Sequence, residues 1–161
     1  MSQTSNIYLE KKCQEFNIPT VVCDIKEIKF IQDGYNYIIN LGNNTHWVAL
    51  FVQGNYVAYF DSFGVVPPLR VITLISKYSK AKNAEIKYMY NEQDIQNLQS
   101  GYCGEYAFFF LYYMNYAKGP FLTRFKKLQR AFKGDVEENK TVLLNRLHKI
   151  GLYNGKLKFN P

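Results

Sequence analysis

Residues 45–61 read THWVALFVQGNYVAYFD. Two runs rich in β-branched and aromatic residues, Trp47–Val52 and Tyr56–Phe60, lie on either side of the turn residues Gly54 and Asn55. Apolar runs separated by a short glycine-containing turn are typical of two antiparallel strands in a β-hairpin. This stretch therefore predicts the centre of a sheet.

The register of this hairpin decides whether His46 and Asp61 can meet. A two-residue loop pairs Gln53 with Tyr56, which sets His46 opposite Phe63 and puts Asp61 diagonally on the same face. Diagonal neighbours on one face lie ~7 to 8 Å apart at the backbone, so a carboxylate can reach an imidazole there. A three-residue loop would put them on opposite faces, and Asp61 is equally suited to capping a turn.

The rest of the chain predicts an α+β fold with a central, mostly antiparallel sheet flanked by helices. Further strands are predicted at Thr20–Asp24, Tyr37–Leu41 and Glu85–Tyr90, and helices at Asn6–Phe16, Leu69–Ser79, Cys103–Ala117, Phe121–Phe132 and Val136–Ile150. Leu152–Pro161 is predicted to form a short terminal strand or tail. Since no repeat or linker interrupts the pattern, we expect residues 1–161 to form a single domain.

Composition narrows the class of protein. The chain has 161 residues, 47% of them hydrophobic, and a formal charge of +7. This charge favours encounter with polyanions such as DNA, but the basic residues are spread along the chain, as in an ordinary soluble basic protein.

Three cysteines are too few for a disulfide framework or a zinc site, so we expect a reducing compartment and no metal. No signal peptide is visible, and the longest apolar stretch is shorter than the ~20 residues that span a bilayer.

Cys103 is a candidate nucleophile. The polar loop 97–104 leads directly into the apolar helix predicted from Cys103, and the unpaired N–H groups at a helix N-terminus favour a thiolate. The same N–H groups, including that of Gly104, can bind a developing oxyanion. A small buried cysteine without chemistry is the alternative.

A thiolate nucleophile needs a general base, and the chain has only two histidines, His46 and His148. His148 lies late in a Lys- and Arg-rich helix and is predicted to be an exposed cation at its C-terminal end. His46 begins the hairpin, where Asp61 can orient its imidazole. The preceding loop offers three glutamines as the second oxyanion donor, Gln93, Gln96 and Gln99, and the sequence pattern alone does not choose among them.

Three motifs together resemble the adenovirus-type maturation protease, a family related to the SUMO-deconjugating proteases. They are THWVA at 45–49, YFDSFG at 59–64 followed by two prolines, and QxxxSxxCGxY at 96–106. The resemblance is strongest to the versions encoded by virophages, giant viruses and polinton-type elements. It implies the papain-like fold in permuted order, with the nucleophile at the N-terminus of a buried helix.

The resemblance also implies roles for individual residues. Cys103 would be the nucleophile, His46 the base and Asp61 the third triad member. Gln96, seven residues before the cysteine with a serine between them, would complete the oxyanion hole, and Gln99 is the fallback. Trp47 is similar to the tryptophan beside the family's active site.

The function implied is a cysteine endopeptidase that cleaves viral capsid or core precursor proteins during virion maturation. The expected enzyme is a monomer without membrane contact, in the host cytoplasm or virus factory and packaged in the virion. It would need no cofactor, although DNA or a peptide can activate such enzymes.

The residue before the cysteine differs from that of the SUMO proteases: it is Tyr102 here, whereas those enzymes usually have Asp at this position. The alternatives are an isopeptidase for ubiquitin-like modifiers with the same site and an inactive basic domain that binds nucleic acid.

Overall fold

The computed structural model describes residues 5–42, 46–96 and 101–151. Its described residues form one five-stranded sheet in the order β1-β2-β3-β4-β5. The strands are β1 Thr20–Asp24, β2 Asn36–Asn40, β3 Trp47–Gln53, β4 Tyr56–Phe60 and β5 Lys87–Tyr90. The five helices of the described residues are α1 Asn6–Glu15, α2 Leu69–Lys82, α3 Cys103–Tyr116, α4 Phe121–Ala131 and α5 Val136–Lys149. The predicted α+β class is confirmed, and the predicted terminal strand at Leu152–Pro161 lies outside the described residues.

The sheet is mixed. Its central pairs, β2 with β3 and β3 with β4, are antiparallel, whereas the outer pairs, β1 with β2 and β4 with β5, are parallel. Parallel neighbours need a long crossover connection, and α2 lies in the connection between β4 and β5. Strand periodicity carries no information on direction, so the outer parallel pairs were not predicted.

Both faces of the sheet are covered by helices. On one face, Ala49 and Phe51 of β3 pack in a core with the apolar residues of α3, such as Phe110. On the other face, Leu50 and Val52 pack with residues of α2. Because successive side chains of a strand point to opposite faces, residues Trp47–Val52 of β3 are buried on both sides, which explains their unbroken hydrophobic run.

The helix α3 lies at the centre of the larger core. Most of its side chains are buried, and it contacts β3, α1, α4 and α5. A largely apolar helix is stable where protein surrounds it. The helix begins at Cys103 and packs on β3. No helix among the described residues has the length and apolar character needed to traverse a lipid bilayer.

Candidate active site

The β3–β4 hairpin has a two-residue turn, and Gln53 pairs with Tyr56. In this register His46 and Phe63 are opposite each other, and their rings stack with centroids 4.2 Å apart and planes 13° from parallel. His46 Nε2 lies 2.7 Å from Asp61 Oδ1. Of the two registers that the sequence leaves open, this is the one that puts His46 and Asp61 on the same face, and it brings the two candidate residues into a hydrogen bond.

Asp61 is held in a single orientation. Its side chain is only 2% exposed. The carboxylate Oδ1 also accepts the Phe63 backbone N–H at 2.8 Å. A buried carboxylate that accepts a backbone N–H and faces an imidazole favours the imidazolium and fixes the ring that it contacts. Phe63, which both donates this bond and stacks on His46, was not singled out from the sequence.

Asn91, at the end of β5, holds the backbone of Asp61. The Asp61 N–H donates to Asn91 Oδ1 at 2.9 Å, and Asn91 Nδ2 donates to the Asp61 carbonyl at 2.7 Å. Asn91 is fully buried. Its amide continues the β4–β5 hydrogen bonding at the point where the two backbones separate. An asparagine directly after a predicted strand is the only sequence signal for this role, and such asparagines usually mark turns.

Cys103 is the first residue of α3 and is buried, with 8% of its surface exposed. The Trp47 backbone N–H donates to Cys103 Sγ at 3.4 Å. An N–H aimed at sulfur and the N-terminal end of a helix both stabilise negative charge on that atom. The contact also brings the start of α3 against the start of β3, one residue from His46. Gly104 follows as a buried second residue of α3.

The two nitrogens of His46 have different surroundings. Nε2 pairs with Asp61, whereas Nδ1 is buried and bonds to no nitrogen or oxygen of the described residues. Burial lowers the pKa of His46, but hydrogen bonds with Asp61 and Cys103 and the charges of both raise it, for a net shift to about 9. Since Nε2 bonds to the carboxylate, Nδ1 is the ring nitrogen that Asp61 does not occupy. The imidazolium is thus the favoured form near neutrality.

Gln96 is 2% exposed, and it is hydrogen-bonded to Ser62, the residue after Asp61. The Ser62 hydroxyl donates to Gln96 Oε1, and the Gln96 backbone N–H donates to the Ser62 carbonyl at 3.0 Å. Gln96 is therefore hydrogen-bonded, through both its backbone and its side chain, to the residue that follows Asp61 in the chain. Gln99, the alternative oxyanion residue, lies outside the described residues. Sequence reasoning did not single out Ser62.

The second histidine, the possible metal ligands and Trp47 complete the list of candidates from the sequence. His148 is exposed in the last turn of α5, as predicted. Within residues 5–42, 46–96 and 101–151, no group of three His, Cys, Asp or Glu side chains could hold a metal ion. Trp47 is buried in the core beside Cys103, with 7% of its surface exposed.

No protein-family profile and no curated protein sequence matches the chain. Solved structures, in contrast, match the chain. The selenomethionine form of the ASFV pS273R protease superposes with a TM-score of 0.55 at 16% identity, over 88% of this chain and 67% of that one. The chain has the fold of this protease. Another structure of the pS273R protease has a TM-score of 0.47 and 22% identity, over 68% of this chain and 41% of that one. The chain thus spans between two fifths and two thirds of the length of these proteins.

Proposed function

We propose that the chain is a viral cysteine endopeptidase with Cys103 as nucleophile, His46 as general base and acid, and Asp61 as the orienting carboxylate. One observation carries the proposal: His46, Asp61 and Cys103 lie close together. His46 Nε2 is 2.7 Å from Asp61 Oδ1, and the N–H of Trp47, the residue after His46, donates to Cys103 Sγ. Cysteine, histidine and aspartate are the parts of a thiol hydrolase.

The first step of the proposed mechanism forms a thioester. The Cys103 thiolate attacks the scissile carbonyl carbon, and the carbonyl oxygen becomes an oxyanion. His46 then gives its Nδ1 proton to the leaving nitrogen, so that the C–N bond breaks and the amine departs. Asp61 stabilises the imidazolium through Nε2 in this step. The raised pKa of His46, about 9, supports this role because the proton is present near neutrality.

The second step releases the acid and restores the enzyme. Neutral His46 takes a proton from a water molecule at Nδ1, and the resulting hydroxide attacks the thioester carbonyl. The C–S bond breaks, and Cys103 leaves as the thiolate beside the reprotonated imidazole. The side-chain amide of Gln96 and the N–H groups at the start of α3 are proposed to stabilise the oxyanion in both steps.

The proposed substrates are capsid or core precursor proteins, cut beside small residues such as glycine. Support comes from the motif resemblance to adenovirus-type maturation proteases, including those of virophages and polinton-type elements, and from the fold that the chain has in common with a protease of ASFV.

Incubation of the purified protein with a capsid precursor protein of the same virus tests the proposal. We expect defined fragments from the wild-type protein and none from Cys103→Ala, which removes only the sulfur. A fluorogenic conjugate ending in Gly-Gly serves as the parallel substrate. Faster Cys103-dependent cleavage of this conjugate than of the precursor would indicate an isopeptidase. Absence of Cys103-dependent cleavage of both substrates would contradict hydrolase function.

A further inference from the structure

Ser62 connects the two halves of the candidate site. It directly follows Asp61, which pairs with His46, and its own hydroxyl donates to the side-chain oxygen of Gln96. Its carbonyl accepts the backbone N–H groups of both Ile95, at 2.9 Å, and Gln96, at 3.0 Å. The serine is 1% exposed, so water does not compete for these bonds. One dipeptide therefore holds both the partner of the base and the candidate oxyanion donor.

The two kinds of bond at Ser62 have different consequences. The carbonyl bonds fasten the backbone of residues 95 and 96, and they do not depend on the side chain at position 62. Asn139 Nδ2 adds a third backbone anchor by donating to the Ile95 carbonyl at 3.1 Å. The hydroxyl, in contrast, bonds to the Gln96 side chain, and it binds the oxygen end of the amide. An amide held by its oxygen directs its NH₂ group, the end that can donate to an oxyanion, away from Ser62.

We propose that Ser62 is a positioning residue that sets the orientation of the Gln96 amide for oxyanion stabilisation. The inference rests on the proposed function and adds a residue to its machinery that acts only through Gln96. A pre-oriented donor stabilises a transition state without reorganisation during the reaction, whereas a donor free to rotate loses part of that effect. Loss of the hydroxyl is therefore expected to lower the rate of the chemical step, kcat, and to leave substrate binding unchanged.

A double-mutant cycle between Ser62→Ala and Gln96→Ala tests this. Removal of an oxyanion donor costs on the order of 100-fold in kcat, so we expect Gln96→Ala to fall in that range and Ser62→Ala to lose about 10-fold or more, with KM little changed. In the Gln96→Ala background, Ser62→Ala should cause no further loss. Ser62→Thr, which keeps a hydroxyl, should recover most of the lost kcat.

Two controls separate positioning from general damage. Ser79→Ala removes a hydroxyl that donates to the Ala84 carbonyl at 2.7 Å at the end of α2, and it should leave kcat unchanged. Ser62→Ala should also leave the alkaline limb of the pH–rate profile in place, because the His46–Asp61 pair is intact. A shift of that limb would mean that Ser62 acts through Asp61, which would overturn the inference.

The remaining outcomes are also decisive. Equal losses from Ser62→Ala in the wild-type and Gln96→Ala backgrounds would overturn the role assigned to Ser62, as would a Ser62→Ala enzyme with wild-type kcat. Both results require an active wild-type enzyme, so they leave the proposed function standing. A wild-type protein without Cys103-dependent cleavage would overturn the function and, with it, the inference.

Discussion

At the scale of single residues, the pair of His46 and Asp61 sets the chemistry that the site can perform. The imidazole is 13% exposed and the carboxylate 2% exposed, and they lie 2.7 Å apart. Burial alone would favour neutral imidazole, but the hydrogen bonds and charges of Asp61 and Cys103 outweigh it and raise the pKa of His46 to about 9. The form that can protonate a leaving amine therefore persists well above neutral pH.

Asp61→Asn is expected to move the alkaline limb of activity to lower pH. Asparagine can keep a hydrogen bond to the ring but carries no charge, so the pKa of His46 falls. The imidazolium then loses its proton at a lower pH than in the wild-type protein. The measurement is kcat/KM between pH 5 and 10, in which the wild-type limb should lie near the raised pKa of about 9. Asp33→Asn, which breaks an exposed bond of 3.2 Å to Lys82, is the matched control and should leave the profile unchanged. An unmoved limb in Asp61→Asn would contradict the proposed coupling.

The same pair makes stability depend on pH in a defined direction. Folding raises the pKa of His46 from 6.5 to about 9. The stabilisation of the folded state that results from this shift is fully present below pH 6.5, and it disappears as the pH rises through about 9. The free-energy difference of unfolding between the wild-type protein and Asp61→Asn should therefore narrow over that interval. Urea unfolding of both proteins at pH 6 and pH 9.5 measures this difference in the free energy of unfolding.

Sequence reasoning singled out His46 because the chain has only two histidines. It made Asp61 a candidate partner only in the register of a two-residue turn, which puts both side chains on the same face. It missed Ser62 and Asn91. Both act through bonds between segments distant in sequence, at 34 and 30 residues of separation, and no local pattern encodes such contacts. Gln96 was selected only by the family motif, and its role stays a prediction.

At the scale of elements, the turn after β4 has to pass very close to the segment that carries Gln96. Gly64 has a φ of +72°, and a Cβ at this position would lie 2.5 Å from the Gln93 carbonyl oxygen. Gln93 in turn donates through Nε2 to the carbonyls of Gln129 and Phe132 at the end of α4, at 3.0 Å each. The loop therefore has little freedom to move aside for a side chain.

Gly64→Ala should destabilise the protein more than Gly54→Ala. Gly54 also has a positive φ, +59°, but open space surrounds the position of its Cβ. Both variants incur backbone strain of about 1 kcal/mol or more, whereas only Gly64→Ala adds a clash with fixed backbone, which we expect to cost at least about 1 kcal/mol further. Urea unfolding measures both free energies. Equal losses would show that the loop can shift, contrary to the packing described.

The elements themselves were largely predictable. β4 was predicted with its observed ends, and α3 differs from its prediction by one residue at its C-terminus. The helix signal was strong because Cys103–Tyr116 is long and apolar, and the hairpin signal was strong because its turn chemistry is specific. The parallel direction of β1 and β5 was not predictable, since it depends on how the connections cross the sheet.

At the scale of the whole molecule, the fold brings three separate chain positions to one point. His46 directly precedes β3, Asp61 directly follows β4, and Cys103 begins α3. The hairpin aligns the first two, and the packing of α3 on β3 adds the third through Trp47. Secondary-structure prediction could supply the hairpin pair. Only tertiary packing, or the family resemblance, could join Cys103 to it.

The two remaining cysteines provide internal standards for the central claim. Burial raises the pKa of the Cys23 thiol to about 11 and also raises that of Cys13 above its ordinary value. Neither should form appreciable thiolate at mildly acidic pH. Cys103, in contrast, lies beside a favoured imidazolium and accepts the Trp47 N–H.

The most direct test is the rate at which iodoacetamide alkylates each cysteine at pH 6, mapped by mass spectrometry in the wild-type protein and in His46→Ala. The proposed thiolate–imidazolium pair predicts that Cys103 reacts faster than free cysteine, that Cys13 and Cys23 stay unmodified, and that His46→Ala removes most of the excess rate. A Cys103 no more reactive than free cysteine, and indifferent to His46→Ala, would contradict it.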